Sequence, residues 1–311
     1  MSHKKLLQDT FRMDDAFSAF IDQDLQALEA ELYRDEYVDL KARQWLPEKT
    51  DVPAWAESFG YRILHSFGRA DWIAPYSNDL PGAGLRAEKK VARVEGLANY
   101  FEFSKQDLRA AAKNSMNLDR EYAQIQMRAH EEKFNSTCLL GEPTLGFLGF
   151  FKHPDVAVLT GHNWASAGTT AQQILDDLRS AVAEVRLASK GMYEVNQIIL
   201  PLSSFTQAEK KPMGVDYASA DNPLAVFLRT TPGVSVGWDL NLEKADLAGT
   251  GPRMVAYMKS PMVAQCVQPL APEIGEPQVR DLMYRRTIES RVGGCVVRKA
   301  IGMCYVDGLA G

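Results

Sequence analysis

Close-set metal and redox ligands are what this 311-residue chain most plainly lacks. Its four cysteines, Cys138, Cys266, Cys295 and Cys304, form no Cys-x-x-Cys pair, and its five histidines are scattered. Metal clips and redox motifs need close pairs, so neither is expected, and no cofactor or metal ligand is assigned. The opening Met1-Ser2-His3-Lys4-Lys5 is followed by polar residues and not by an apolar signal segment. The thiols are therefore expected to be buried small hydrophobes in a reducing compartment. No uninterrupted apolar run approaches membrane-spanning length, so a soluble chain without a membrane partner is expected. Basic excess is missing too. Lys and Arg number 35 against 40 Asp and Glu, a net charge of −5, which argues against a protein whose task is to grip nucleic acid.

Catalytic signatures are equally scarce. Gly82-Ala83-Gly84 lacks the third glycine and the preceding strand–helix context of a dinucleotide fingerprint. No Gly-x-x-x-x-Gly-Lys-Ser/Thr loop exists to hold phosphates, and the loop 160–168 lacks the Gly-x-Ser-x-Gly spacing of a nucleophile elbow. His130-Glu131-Glu132-Lys133-Phe134 begins like a zinc-protease helix, but Phe134 stands where the second histidine should be. No catalytic residue is named.

What is present is apolar surface in an unusual place. Tyr61–Phe67 is rich in β-branched and aromatic residues, and Lys90–Glu95 alternates in period two, so the two predict the arms of a long hairpin. The insert between them has too much Gly and Pro to be a helix, yet carries Trp72, Ile73, Tyr76 and Leu80. An extended apolar arm needs a surface to lie on, either its own core or a neighbour.

Three further stretches are informative. From Asp14 to Leu32, Phe17, Ile21, Leu25, Leu28 and Leu32 recur at helical spacing, and the other face carries Asp14, Asp15, Asp22, Asp24, Glu29 and Glu31. This predicts an amphipathic helix with either a solvated acidic face or a partner. Residues 45–53, Pro-bracketed, predict an extended connector. Helices are predicted at 105–114 and 117–139, the second with Asn117 as N-cap and two apolar stripes: Leu118, Tyr122, Ile125 and Ala129; and Ala123, Met127, Phe134 and Cys138. Two stripes predict contact from two sides.

From residue 155 onward an α/β alternation is predicted. After the segment 155–159 comes a helix opened by a Thr170–Gln173 capping box, buried along Ile174, Leu175, Leu178, Ala181, Val182 and Val185, and stopped near Gly191. A buried strand at 196–201, a helix from Pro223, and strands at 234–242 and 254–258 follow, then a strand-rich end.

Several short motifs follow one another along the chain in a set order: Gly68-Arg69-Ala70, Asp79-Leu80-Pro81, Tyr100-Phe101-Glu102-Phe103-Ser104, Leu118-Asp119, the Gly141/Gly146/Gly149 turn, Arg291-Val292-Gly293-Gly294, and the closing strand 302–308. Over about residues 55–311 this set resembles the major capsid proteins of tailed bacteriophages, which share the Hong Kong 97 type fold. The resemblance implies an α+β architecture. Its parts would be an N-terminal arm at 1–57, an extended β-hairpin loop at 58–103, a peripheral domain with a long spine helix from 104–156 and 261–311, and an axial domain at 157–260. It implies a subunit that self-assembles through pentamers and hexamers into an icosahedral shell around phage DNA. The partners implied are further copies of itself, portal, scaffolding and decoration proteins, and double-stranded DNA enclosed without sequence-specific binding. The place implied is the virion capsid, after assembly in the host bacterial cytoplasm. Candidate intersubunit contacts are Arg69, Trp72, Ile73, Tyr76 and Leu80 on the loop and Phe17, Ile21 and Leu25 on the arm. Two alternatives stay open: an encapsulin-like nanocompartment shell protein, and an α/β enzyme with a site in 157–260.

Overall fold

The computed structural model describes residues 38–72, 82–106, 118–213, 221–245 and 251–309. The expected helix at 14–32, with Phe17, Ile21 and Leu25, lies outside the described residues, as do Ile73, Tyr76, Leu80, Asn117 and most of 105–114. The chain divides into two compact units, one up to Asp39 and one from Leu40 onward.

A short helix α1 (Ala42–Trp45) and strand β1 (Glu48–Lys49) lead to the hairpin β2 (Ser58–Phe67) and β3 (Gly84–Arg93), then to β4 (Glu95–Ser104) and the long helix α2 (Leu118–Leu139). Strands β5 (Gly141–Glu142) and β6 (Phe147–Leu148) close a turn. The alternating part runs β7 (Ala157–Thr160), α3 (Ala171–Ala188), β8 (Gln197–Pro201), α4 (Leu202–Lys210), α5 (Pro223–Thr230), β9 (Ser235–Asp239) and β10 (Arg253–Tyr257). The end is strand-rich: β11 (Ala264–Val267), β12 (Leu270–Ile274), β13 (Gln278–Arg280), β14 (Met283–Val292), β15 (Gly294–Val297) and β16 (Met303–Asp307).

The larger sheet has the order β7-β16-β10-β8-β9. Its central strands are buried on both faces, which is why they read as continuous apolar runs. Ile198, Leu200, Met254, Ala256, Cys304 and Val306 face one core with the α3 stripe. The alternate residues Ile199, Val255, Tyr257, Met303 and Tyr305 face a second core with Trp45, Phe134, Phe150 and Phe151. Helix α3 opens with the expected capping box, Gln173 N–H donating to Thr170 Oγ1 and Gln173 Oε1 accepting from the Thr170 N–H, and ends at Ala188, after which Lys190 (φ +53°) and Gly191 (φ +79°) are left-handed and the Gly191 N–H closes onto Arg186 O (2.8 Å).

Several expectations need correction. The strand-rich end was assigned with 104–156, but β16 lies inside the larger sheet, parallel to β7 and antiparallel to β10. Pairing between strands so far apart in the chain leaves no local trace in sequence. The strand expected at 234–242 ends at Asp239, because the Asp239 carboxylate accepts the Asn241 N–H and turns the chain into a 3-10 segment. Helix α4 was not foreseen; only Ser204 and Ala208 on it are buried, so it carries little apolar period. The supposed connector is anchored at its start: Trp45 and Leu46 are buried, Trp45 Nε1–H donates to Asp239 (2.7 Å), and its carbonyl accepts from Tyr257 Oη (2.5 Å). Helix α2 is covered on one side along most of its length and all round at its end, where Asn135, Thr137 and Leu139 are buried as well. Ala123, Phe134 and Cys138 are buried, whereas Ile125 is exposed and Tyr122 and Met127 lie near the surface.

Candidate functional site

The hairpin β2–β3 is antiparallel through ten residue pairs, from Ser58↔Arg93 to Phe67↔Gly84. Its arms are longer than expected and shifted on the return side, since Val94 donates its N–H to Glu57 O and Glu95 already belongs to β4. The root is fixed. Phe59, Tyr61 and Ala92 pack on Val52, Ala56, Val267 and Val296, and the Arg298 guanidinium sits 5.7 Å from the Tyr61 ring centroid. Burial there pushes the Tyr61 hydroxyl pKa up.

Beyond the root the hairpin leaves its own body. Period-two alternation puts Leu64, Ala87 and Leu85 on one face, and Phe67 on the other, its ring lying over Gly84 where a side chain would collide. Leu64, Phe67, Leu85 and Val91 are all exposed, and Trp72 is fully so. Of the expected loop contacts, the described residues place Arg69 and Trp72 at the tip, Arg69 in an exposed ion pair with Asp71 (2.8 Å). Leu64, Leu85 and Val91 were missed, although the alternation of the two arms could have named the face they share, and so was Phe67 on the opposite face.

The stalk is also basic. Between residues 58 and 93 lie Arg62, Arg69, Arg86, Lys89, Lys90 and Arg93 against Asp71, Asp79 and Glu88, within a chain of net charge −5. A protruding arm of one sign on a body of the other can be steered onto a second copy.

The sheet below gives this arm a stiff base. Strand β4 pairs with β14 from Glu95↔Val292 to Ser104↔Met283. Helix α2 crosses that sheet, with His130 Nδ1 2.7 Å from Ser290 Oγ and Arg286 on Asp119 (2.5 Å). Arg43 ties α1 to α2 through Glu131 and lies over the Phe134 ring.

Places where chemistry could be sought hold structure instead. A recess of about 400 Å³ beside the hairpin root is lined by Lys90, Phe147, His153, Asp155 and Cys295. Burial lowers the His153 pKa and raises the Cys295 pKa, so the thiol stays protonated and is a poor nucleophile. All four cysteines are buried and free, as expected, and burial pushes Cys304 up to about 12. In the motif at 130–134, His130 is buried, Glu131 binds Arg43 and Glu132 binds Arg128. In the loop after β7, His162 Nδ1 (2.8 Å) and Trp164 Nε1–H (2.8 Å) both meet the buried Asp177 carboxylate, which closes the loop onto α3. Among the described residues no group of three His, Cys, Asp or Glu side chains could hold a metal ion, and no helix is long and apolar enough to cross a membrane.

Residues 68–309 match the family model described as major capsid protein. No curated protein sequence matches the chain. Among solved structures, the capsid of Myoviridae phage XM1 is similar at 18% identity and TM-score 0.81, with 92% of this chain and 98% of that chain covered. The capsid of an empty GTA particle is similar at 11% identity and TM-score 0.62, covering 92% and 95%. A virus-like particle from Pyrococcus furiosus gives 12% identity and TM-score 0.54, covering 85% and 91%. At such identities these structures speak to the fold alone.

Proposed function

This chain belongs to the major capsid protein family, and on that premise we propose that its β2–β3 hairpin is the arm by which one copy holds the next in the shell. The α+β fold is that of phage capsid subunits of the Hong Kong 97 type, and the chain's function is to build a capsid shell from copies of itself, its place the virion.

The observation that carries the arm's role is the bare tip and stalk. Leu64, Phe67, Trp72 and Leu85 are exposed on a hairpin whose root alone touches its own core. Fully burying one such side chain is worth roughly 1.5–3 kcal/mol, so a neighbour that covers several gains a substantial contact. Arg69 and Trp72 belong to that contact, with Ile73, Tyr76 and Leu80 following in sequence. Heterologous contacts of this kind close only at set rotations, which gives pentamers and hexamers in an icosahedral shell. The parts then fall into an N-terminal arm up to residue 57, the hairpin loop, a peripheral part built on α2 and β14, and an axial part built on the larger sheet, β16 included.

The shell encloses double-stranded DNA without sequence-specific binding, consistent with the acidic chain. Its further partners are portal, scaffolding and decoration proteins, and assembly takes place in the host bacterial cytoplasm. The subunit has no catalytic role. The nanocompartment alternative has less support, and nothing in 157–260 favours the enzyme.

The test is a triple variant, Leu64→Ser with Phe67→Ser and Trp72→Ser. The unassembled subunit should melt as the parent does while particles counted by electron microscopy fall sharply. A fall in the melting temperature alongside lost particles would show that the arm packs on its own body.

A further inference from the structure

Three of the four thiols are buried in one core. Cys138 on α2, Cys266 on β11 and Cys295 on β15 belong to it together, whereas Cys304 lies in the other core with the α3 stripe. Cys266 stands directly opposite Cys295 in the antiparallel β11–β15 ladder. The Cys266 N–H turns away from that ladder and donates to Pro47 O (3.0 Å), just before β1. Arg298 N–H, by contrast, donates across to Val263 O (2.8 Å). The ladder bonds of β11 therefore belong to its odd-numbered residues, and Cys266 with Cys295 is a non-hydrogen-bonded pair.

Cα atoms in such a pair sit about 4.5 Å apart, with both side chains on one face. A disulfide spans Cα atoms roughly 4.4–6.8 Å apart, so the backbone already has the spacing that the bond requires. From the helix above, the Cys138 thiol is in hydrogen-bonding contact with Cys266. We propose that Cys266 and Cys295 are a latent cross-strand disulfide site, kept as thiols in a reducing compartment and joined by a small two-electron oxidant. Two S–H bonds break and one S–S bond forms. With diamide as oxidant, the two electrons and two protons pass to its N=N bond, which becomes a hydrazine.

Burial raises the pKa of Cys138 and Cys295, so attacking thiolates are rare while the core is closed. The bond should accordingly form slowly in the closed fold and faster in urea below the unfolding midpoint. Its consequence lies on the opposite face of the same strands. There Val267 and Val296, the next residues along, carry the hairpin root through Phe59, Tyr61 and Ala92. Joining Cys266 to Cys295 staples the two strands on which the arm stands. The inference depends on the fold alone and not on the shell reading.

The test incubates the full-length parent chain with diamide, in buffer and in sub-denaturing urea. Free thiols are then counted after denaturation, and the bond is mapped in an unreduced digest. Reactive thiols should fall from four to two per chain, with Cys266 linked to Cys295 and Cys304 free. Cys138→Ala, which removes the competing thiol, should give the same link. Closing a loop of about 30 residues should lower the unfolding equilibrium constant by roughly a hundredfold, and dithiothreitol should reverse this. Amide exchange at the hairpin root, 58–61 and 90–93, should slow in the oxidised chain. Four reactive thiols after oxidation under both conditions, or a link from Cys138 to Cys266, would overturn the assignment. An oxidised chain less stable than the reduced one would overturn it too, because the bond would then distort the pair.

Discussion

Arg253 holds its charge where no solvent reaches it, at 0% exposure. Its guanidinium is bidentate on Asp307 (2.6 and 2.7 Å), donates to Phe151 O (2.9 Å) and lies 4.4 Å from the Tyr305 ring centroid. The residue thereby ties β10 and β16 to the turn that leaves α2. Arg253→Met should cost about 3–5 kcal/mol, since it leaves the Asp307 carboxylate without its partner, and urea denaturation would measure this. Adding Asp307→Leu should recover much of the loss. Sequence reading began this strand at Met254, because a lone arginine next to an apolar run looks like a strand end. A buried ion pair has no local signature when its partner is 54 residues away. Two histidines make a pH prediction. Burial holds His130 and His153 below the ordinary histidine value. The unfolded chain takes up protons near pH 6.5 that the folded one resists, so stability is lost as pH falls below about 6.5. The urea midpoint should drop between pH 7.5 and 5.5, and His130→Gln, which keeps a polar partner for Ser290, should reduce that drop.

At the scale of elements, local rules were readable and distant pairings were not. Helix α3 was legible at its start, along its buried stripe and at its end, because a capping box, a 3.6-residue period and a terminal glycine each act within a few residues. Thr170→Ala should cost roughly 0.5–2 kcal/mol, read from thermal melts, with no change in particle form. The Gly141 turn was legible for the same reason. Its φ of +82° and the closeness of Gly149 N and Phe147 O leave no room for a side chain, so Gly141→Ala should destabilise more than Thr170→Ala. By contrast, Trp45 lies buried over Gly237, and β16 sits between β7 and β10. Both placements depend on partners far along the chain. The candidate arm was legible at its tip, where Trp72 interrupts a Gly- and Pro-rich stretch, but not along its stalk. There Leu64 and Leu85 look like ordinary strand residues until the pairing puts them together on a face that nothing in their own body covers.

For the whole molecule, the distribution of charge matters more than its sum. The net of −5 conceals a hairpin with six basic and three acidic residues, so the remainder of the chain is more acidic than the total indicates. In the proposed contact of one copy's arm with another copy's body, opposite charges would approach over distances that salt can screen. The Debye length is about 30 Å at 0.01 M salt and about 3 Å at 1 M. Steering should therefore speed the encounter at low salt, while apolar burial at the tip holds the finished contact. Assembly followed by light scattering should slow as salt rises from 0.01 to 0.3 M, with little dissociation of shells already formed. Arg62→Gln with Arg86→Gln and Lys89→Gln should flatten the salt dependence and leave the subunit's melt unchanged, since all three side chains are exposed. Leu64→Ser and Phe67→Ser should do the reverse, keeping the salt dependence of the encounter while lowering the amount of shell that persists. If the charge variant assembled at the parent's rate with the parent's salt slope, the basic stalk would have no part in bringing copies together.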